Sequence, residues 1–144
     1  VATIAGRAPA DRVRIFRSWA GRLARMVRTM HDRRVSHRDL KGSNILLQGV
    51  SESPDVATPV LIDLVGVRIG RTVSFRQRAK ELARLNASFL SSPLVSRGER
   101  LRFLRAYLAA GERTPEGWKD WWRAVAAATL AKVAKNRRSG RPLA

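Results

Sequence analysis

VSHRDLKGSNILL, residues 35–47, sets a dense polar loop directly ahead of an apolar run. Asp39, Lys41 and Asn44 lie between His37-Arg38 on one side and Ile45-Leu46-Leu47 on the other. A carboxylate can orient a hydroxyl and take its proton, and an ammonium can neutralise anionic oxygens. An amide oxygen is a hard donor that suits a divalent cation such as magnesium. One loop that offers all three, anchored by three apolar residues, reads as a reaction site rather than a linker.

His37-Arg38-Asp39-Leu40, with Asn44 four residues on, matches H-R-D-L-x-x-x-N at all five fixed positions, which is the catalytic-loop pattern of protein kinases. Chance would produce it in roughly 4 of 100,000 chains of this length, before composition bias. In that chemistry Asp39 is the base that receives the acceptor's proton and Lys41 the cation facing the transferred phosphoryl group. Asn44 is a magnesium ligand, and a carboxylate must join it from elsewhere. Asp63 fits, because Val60-Leu61-Ile62 runs straight into it where D-F-G kinases place their metal-binding Asp. Leu64-Val65 replaces the phenylalanine and glycine of that motif. Lys41, Leu46 and Ile62 are the cofactor-binding candidates. His37 reads as a residue that holds the loop in shape, and Arg38 as ambiguous, since no activation loop is present for it to gather. His31 reads as structural or surface.

Bulk composition bounds the rest. At 144 residues the chain is one domain's length, and without cysteine it has no disulfides or thiolate metal sites. It shows no signal peptide and no apolar run near the ~20 residues that span a bilayer, so the expectation is a soluble, cytoplasmic protein. The net charge of +18 comes from 24 arginines and 5 lysines against 11 acidic residues. Such a surface can attract phosphate, nucleic acid or anionic lipid. No basic run is interleaved with aromatics as base stacking requires, so nucleic acid is not the expected partner. The arginine excess itself reads first as compositional.

Outward from the loop, residues 1–10 read as a loose leader and residues 11–134 as the folded lobe. Ile15, Trp19, Leu23, Val27 and Met30 share a helical face, with Asp11 as the expected N-cap and an end near Asp32. Ile45–Leu47 and Val60–Ile62 read as two short strands of a hairpin around a polar connection. The expected fold class is therefore mainly α with a small β-hairpin. Past residue 74 the pattern is helical: Phe75, Ala79, Leu82 and Leu85 first, then Leu101 to Leu108 behind a Ser96–Glu99 capping box. Thr114-Pro115-Glu116 reads as the start of a last helix carrying Trp118, Trp121 and Trp122, read as packing ahead of membrane contact. Residues 135–144 read as a frayed basic tail.

The absence of a long activation segment between Asp63 and the helix of Arg78–Asn86 removes the platform on which a peptide substrate lies. Together with Met30-His31-Asp32, Leu61-Ile62-Asp63-Leu64, Leu82-Ala83-Arg84-Leu85-Asn86 and Arg102–Leu108, the loop resembles the bacterial lipopolysaccharide kinase (Kdo/WaaP) family over about residues 12–110. The resemblance implies a protein-kinase-like C-terminal lobe and phosphate transfer from ATP with Mg²⁺ to a Kdo or heptose hydroxyl of the inner core. It places that work on the cytoplasmic side of the inner membrane; a peripheral contact with anionic lipid is a separate reading, from the tryptophan-bearing last helix beside the basic tail. On the same footing Asp39 is the base, Lys41 the phosphate cation, and Asn44 and Asp63 the metal ligands.

Within these residues there is no G-x-G-x-x-G and no strand lysine of the V-A-I-K kind, so the N-terminal lobe that binds ATP is not among them. With no initiating methionine, the chain is expected to be a piece of a larger kinase, completed by an N-terminal lobe or a partner chain and inactive alone. Two other readings remain open: the C-lobe of a serine/threonine protein kinase, which Asp39-Leu40-Lys41 favours, and a non-catalytic pseudokinase or basic binding module.

Overall fold

The computed structural model describes residue 4 and residues 6–140. Helix α1, Pro9–Asp32, buries Ile15, Trp19, Leu23 and Val27 along one stripe, the i, i+4 spacing that faces one side of a helix. It begins two residues before the expected N-cap. Ala8 precedes it without a side-chain bond, Pro9 supplies a preset first-turn φ, and Asp11 sits inside the first turn, beside the positive end of the helix dipole. Burying each large side chain in that stripe contributes about 2 kcal/mol before entropic costs. Arg34, with a left-handed φ of 64°, then reverses the chain.

Strand β1, Val35–His37, follows, and then β2, Ile45–Gln48, and β3, Thr58–Leu61. β2 and β3 pair antiparallel in the register Ile45↔Leu61 and Gln48↔Thr58, the expected hairpin. A second ribbon is added that the sequence did not announce. β4, Val67–Ile69, returns to pair with β1 in the register Val35↔Ile69 and His37↔Val67.

Helix α2, Phe75–Ser88, is capped by Ser74, whose Oγ accepts from the Gln77 amide at 3.3 Å. Helix α3, Arg97–Ala109, is capped by Ser96 accepting from the Glu99 amide at 3.2 Å. Only half of the expected capping box forms, because the Glu99 carboxylate turns to Arg17 at 2.7 Å instead. Helix α4, Trp118–Arg138, starts after Gly117, not at Thr114. The Thr114 hydroxyl is taken by the Trp121 indole N–H at 3.0 Å and so caps nothing. α4 stays helical through residues 135–138, part of the expected frayed tail, while residues 141–144 lie outside the described set. Of the expected loose leader, residues 1–3 and 5 also lie outside it, and Ile4 is fully buried against Ile15, Trp19 and Ala57.

α2 packs on α4 and α1 on α3. The main core gathers Leu23, Val27, Leu82, Leu85, Leu104, Tyr107, Trp121 and Val125 around one residue of the opening loop, Leu40, which is fully buried. Trp121 meets Phe75 edge-on with ring centroids 4.6 Å apart, so the packing reading holds for it. The mainly α architecture with small antiparallel ribbons agrees with the expectation. Its function here is to fix the loop: Leu40 is its apolar peg.

Candidate active site

The loop between β1 and β2 is a set of nested hydrogen bonds. The Leu40 amide donates to the His37 carbonyl at 3.1 Å, and the Asn44 amide donates to the Lys41 carbonyl at 3.0 Å. Asn44 is buried, and its side-chain Nδ2 donates to the Asp39 carbonyl at 2.9 Å and to Asp39 Oδ2 at 3.2 Å. With the nitrogen end committed to Asp39, the oxygen is the end left to accept a cation. Gly42 closes the far side, where its amide donates to Ser88 Oγ at 2.9 Å.

Lys41 Nζ lies 3.0 Å from Asp39 Oδ2, and both side chains remain partly open to solvent. Partial burial pushes the Asp39 pKa up. The Lys41 hydrogen bond and charge, the Asn44 amide and the charge of Lys132 on α4 outweigh it and hold the carboxyl below its ordinary range. Asp39 is therefore an anion at neutral pH.

Asp63 follows β3 in the left-handed region, with φ 56° and ψ 64°. A non-glycine residue there costs about 1 kcal/mol and persists only where its flanks are held. They are. The Ile62 amide donates to the Asn44 carbonyl at 2.9 Å, the Ile62 carbonyl pairs with His37 Nε2 at 3.3 Å, and the Arg38 amide donates to the Gly66 carbonyl at 3.4 Å. The expected site segments, 37–44 and 60–66, are thus stitched together on both sides of Asp63. Asp63 itself is exposed, as are Leu46 and Arg38, while Ile62 is half-buried. No cluster of three His, Asp or Glu side chains able to hold a metal occurs among the described residues. Asp63 and Asn44 each offer a hard oxygen of the kind magnesium takes, a sparse set that suits this ion when phosphate and water complete its shell.

Sequence reading missed what holds the loop from below. Glu81 of α2 is 1 % exposed and accepts from the His37 amide at 2.9 Å and from Ser36 Oγ; it also pairs with His31 Nε2 at 3.1 Å. His31 Nδ1 in turn meets the Tyr107 hydroxyl at 2.8 Å. Burial raises the Glu81 pKa, but bonds from His31, Ser36 and the His37 backbone leave it lowered overall. His31 is thus structural, deep in the core rather than at the surface. The available signal was a charged residue between Ala79, Leu82 and Leu85 on an apolar helical face.

A second feature had no sequence signal. An apolar cavity of about 510 Å³ opens beside Gly42 and Ile45, walled by Phe16, Trp19, Leu85, Phe103 and Trp122.

Among curated proteins, none matches the sequence. A solved structure described as WaaP in complex with acyl carrier protein is similar, at 28 % identity with a TM-score of 0.67. The match covers 92 % of this chain and 51 % of that one, so the chain spans about half the length of its structural neighbour. The model of the lipopolysaccharide kinase (Kdo/WaaP) family matches residues 4–107, a span that holds Asp39, Lys41, Asn44, Asp63 and Glu81, and the chain belongs to that family.

Proposed function

We propose that this lobe supplies the acceptor and metal side of a kinase that phosphorylates a Kdo or heptose hydroxyl of the lipopolysaccharide inner core. The observation that carries the reading is the Asp39–Lys41–Asn44 cluster, pegged by Leu40 and stitched to the Asp63 segment. ATP with Mg²⁺ would supply the phosphoryl group, with Asp63 and Asn44 as metal ligands and Lys41, Leu46 and Ile62 along the nucleotide's side. Asp39 accepts a hydrogen bond from the sugar hydroxyl, fixes its direction, and takes its proton as the new O–P bond forms. A carboxylate whose pKa is lowered is ready as an acceptor that orients the hydroxyl. Lys41 keeps that carboxylate aimed and offsets the negative charge that gathers opposite it.

The Gly-rich loop and strand lysine that grip ATP in kinases are not in these 144 residues. This chain alone is accordingly inactive, and a nucleotide-binding lobe, on the same or a partner chain, completes it. A transfer assay on the completed enzyme separates the readings. Phosphate on a heptose- or Kdo-bearing acceptor, lost in Asp39→Asn, supports the sugar-kinase reading; phosphate on a generic protein substrate supports the serine/threonine protein kinase. A non-catalytic basic binding module would show salt-sensitive affinity and leave no phosphate on either acceptor.

A contact with an acyl carrier protein is a second element of the reading. The neighbour's complex suggests it, and the apolar cavity favours it, since that space would receive the carrier's acyl group. Binding of acylated but not unacylated carrier protein, weakened by Phe103→Asp, is the test.

A further inference from the structure

Beyond the catalytic cluster, the edge formed by β1, β4 and the turn before β4 carries an unusual surface. Val65 is 93 % exposed, Ile69 82 % and Leu64 61 %, on a short turn and strand that project next to Asp63. Arginines surround them. Arg68 pairs in register with Ser36, the Gly70 amide donates to the Arg34 carbonyl at 3.0 Å, and the Arg38 amide donates to Gly66. Among the described residues, none of the exposed Arg34, Arg38, Arg68 and Arg71 forms an ion pair with a carboxylate. Residues 64–80 contain five cations and no acidic residue.

We propose that residues 64–71 dock this lobe on an anionic lipid bilayer. The aliphatic tips of Leu64, Val65 and Ile69 enter the headgroup–acyl boundary, and the four arginines meet lipid phosphates. Projecting tips on a turn suit a soft interface, whereas a protein partner would need a matching hollow for each. Unpaired guanidinium groups flanking the tips complement an anionic surface, and each strengthens partition about fivefold. The inference deepens the sugar-kinase reading, since a lipid-anchored acceptor would then be presented at the edge that carries Asp39 and Asp63. Vesicle binding requires no phosphate transfer, so the two readings can fail separately.

The test is co-sedimentation of the 144-residue chain with phosphatidylethanolamine–phosphatidylglycerol vesicles and with phosphatidylcholine vesicles. Preference for the anionic vesicles is expected, reduced about tenfold or more in V65S/I69S and in R68A/R71A. Leu130→Ser, also at an exposed aliphatic but on α4, should bind as the parent does. Because the chain has no cysteine, Val65→Cys carries a single environment-sensitive dye, which should shift to an apolar signal on anionic vesicles. The proposal is overturned if both loop variants bind as the parent does, or if R137A/R138A alone removes binding. It is also overturned if the dye remains in water while vesicles bind, or becomes buried only when a nucleotide-binding lobe is added.

Discussion

Glu81 Oε2 accepts from the His37 backbone amide at 2.9 Å, which ties helix α2 to the residue that opens the catalytic-loop motif. The same carboxylate holds Ser36 and His31, so one buried anion fixes the approach to Asp39. Glu81→Ala should destabilise the chain by about 3 kcal/mol, because it leaves three buried polar groups without their acceptor. Urea unfolding followed by tryptophan fluorescence measures this, and Glu81→Gln should lose less.

The pH dependence follows from the direction of the shift. The Glu81 pKa is lowered in the fold, against the opposing effect of burial, by its bonds to His31, Ser36 and His37. Its stabilisation is therefore fully present above the ordinary carboxylate value near 4.5 and disappears as pH falls through the lower folded value. Unfolding free energy measured from pH 6 downward should fall more steeply in the parent chain than in Glu81→Gln.

Tyr107, the chain's single tyrosine, is fully buried, and burial pushes its pKa up to about 12, against the partial relief given by Arg78. Alkaline absorbance titration should show no phenolate before the fold opens or pH approaches that value. Tyr107→Phe should cost about 1–2 kcal/mol, since it leaves His31 Nδ1 without its hydroxyl partner.

Gly111 lies against Arg28 and Asp32, and a methyl at that position would collide with the Arg28 guanidinium and the Asp32 carboxylate. Arg28 is almost fully buried and bonds Asp32 at 2.7 Å and the Glu112 carbonyl at 2.6 Å. Gly111→Ala should destabilise by about 2 kcal/mol, read as a lower urea midpoint with an unchanged m value.

Much of this was legible in the sequence, for a local reason. His37 to Asn44 is one contiguous motif, and its fixed spacing encodes the loop's internal bonds. The β2–β3 hairpin was legible because two aliphatic runs flank a polar connection. The β1–β4 ribbon was not: Val35-Ser36-His37 and Val67-Arg68-Ile69 are three residues each, too short for an alternation to stand out. The start of α4 was not legible, because the Trp121 indole takes the Thr114 hydroxyl that was expected to cap it. The Glu81 network joins residues 31, 36, 37, 81 and 107, a convergence that only the folded chain displays.

The central claim is that Asp39, Lys41, Asn44 and Asp63 serve phosphate transfer to a sugar hydroxyl. Its most direct test joins this lobe to a nucleotide-binding lobe and follows labelled phosphate from ATP onto a heptose- or Kdo-bearing core oligosaccharide, with a generic protein substrate alongside. The account predicts label on the oligosaccharide alone, reduced at least about a hundredfold in Asp39→Asn and in Asp63→Asn. Label on the protein substrate, or transfer that survives Asp39→Asn, would contradict it.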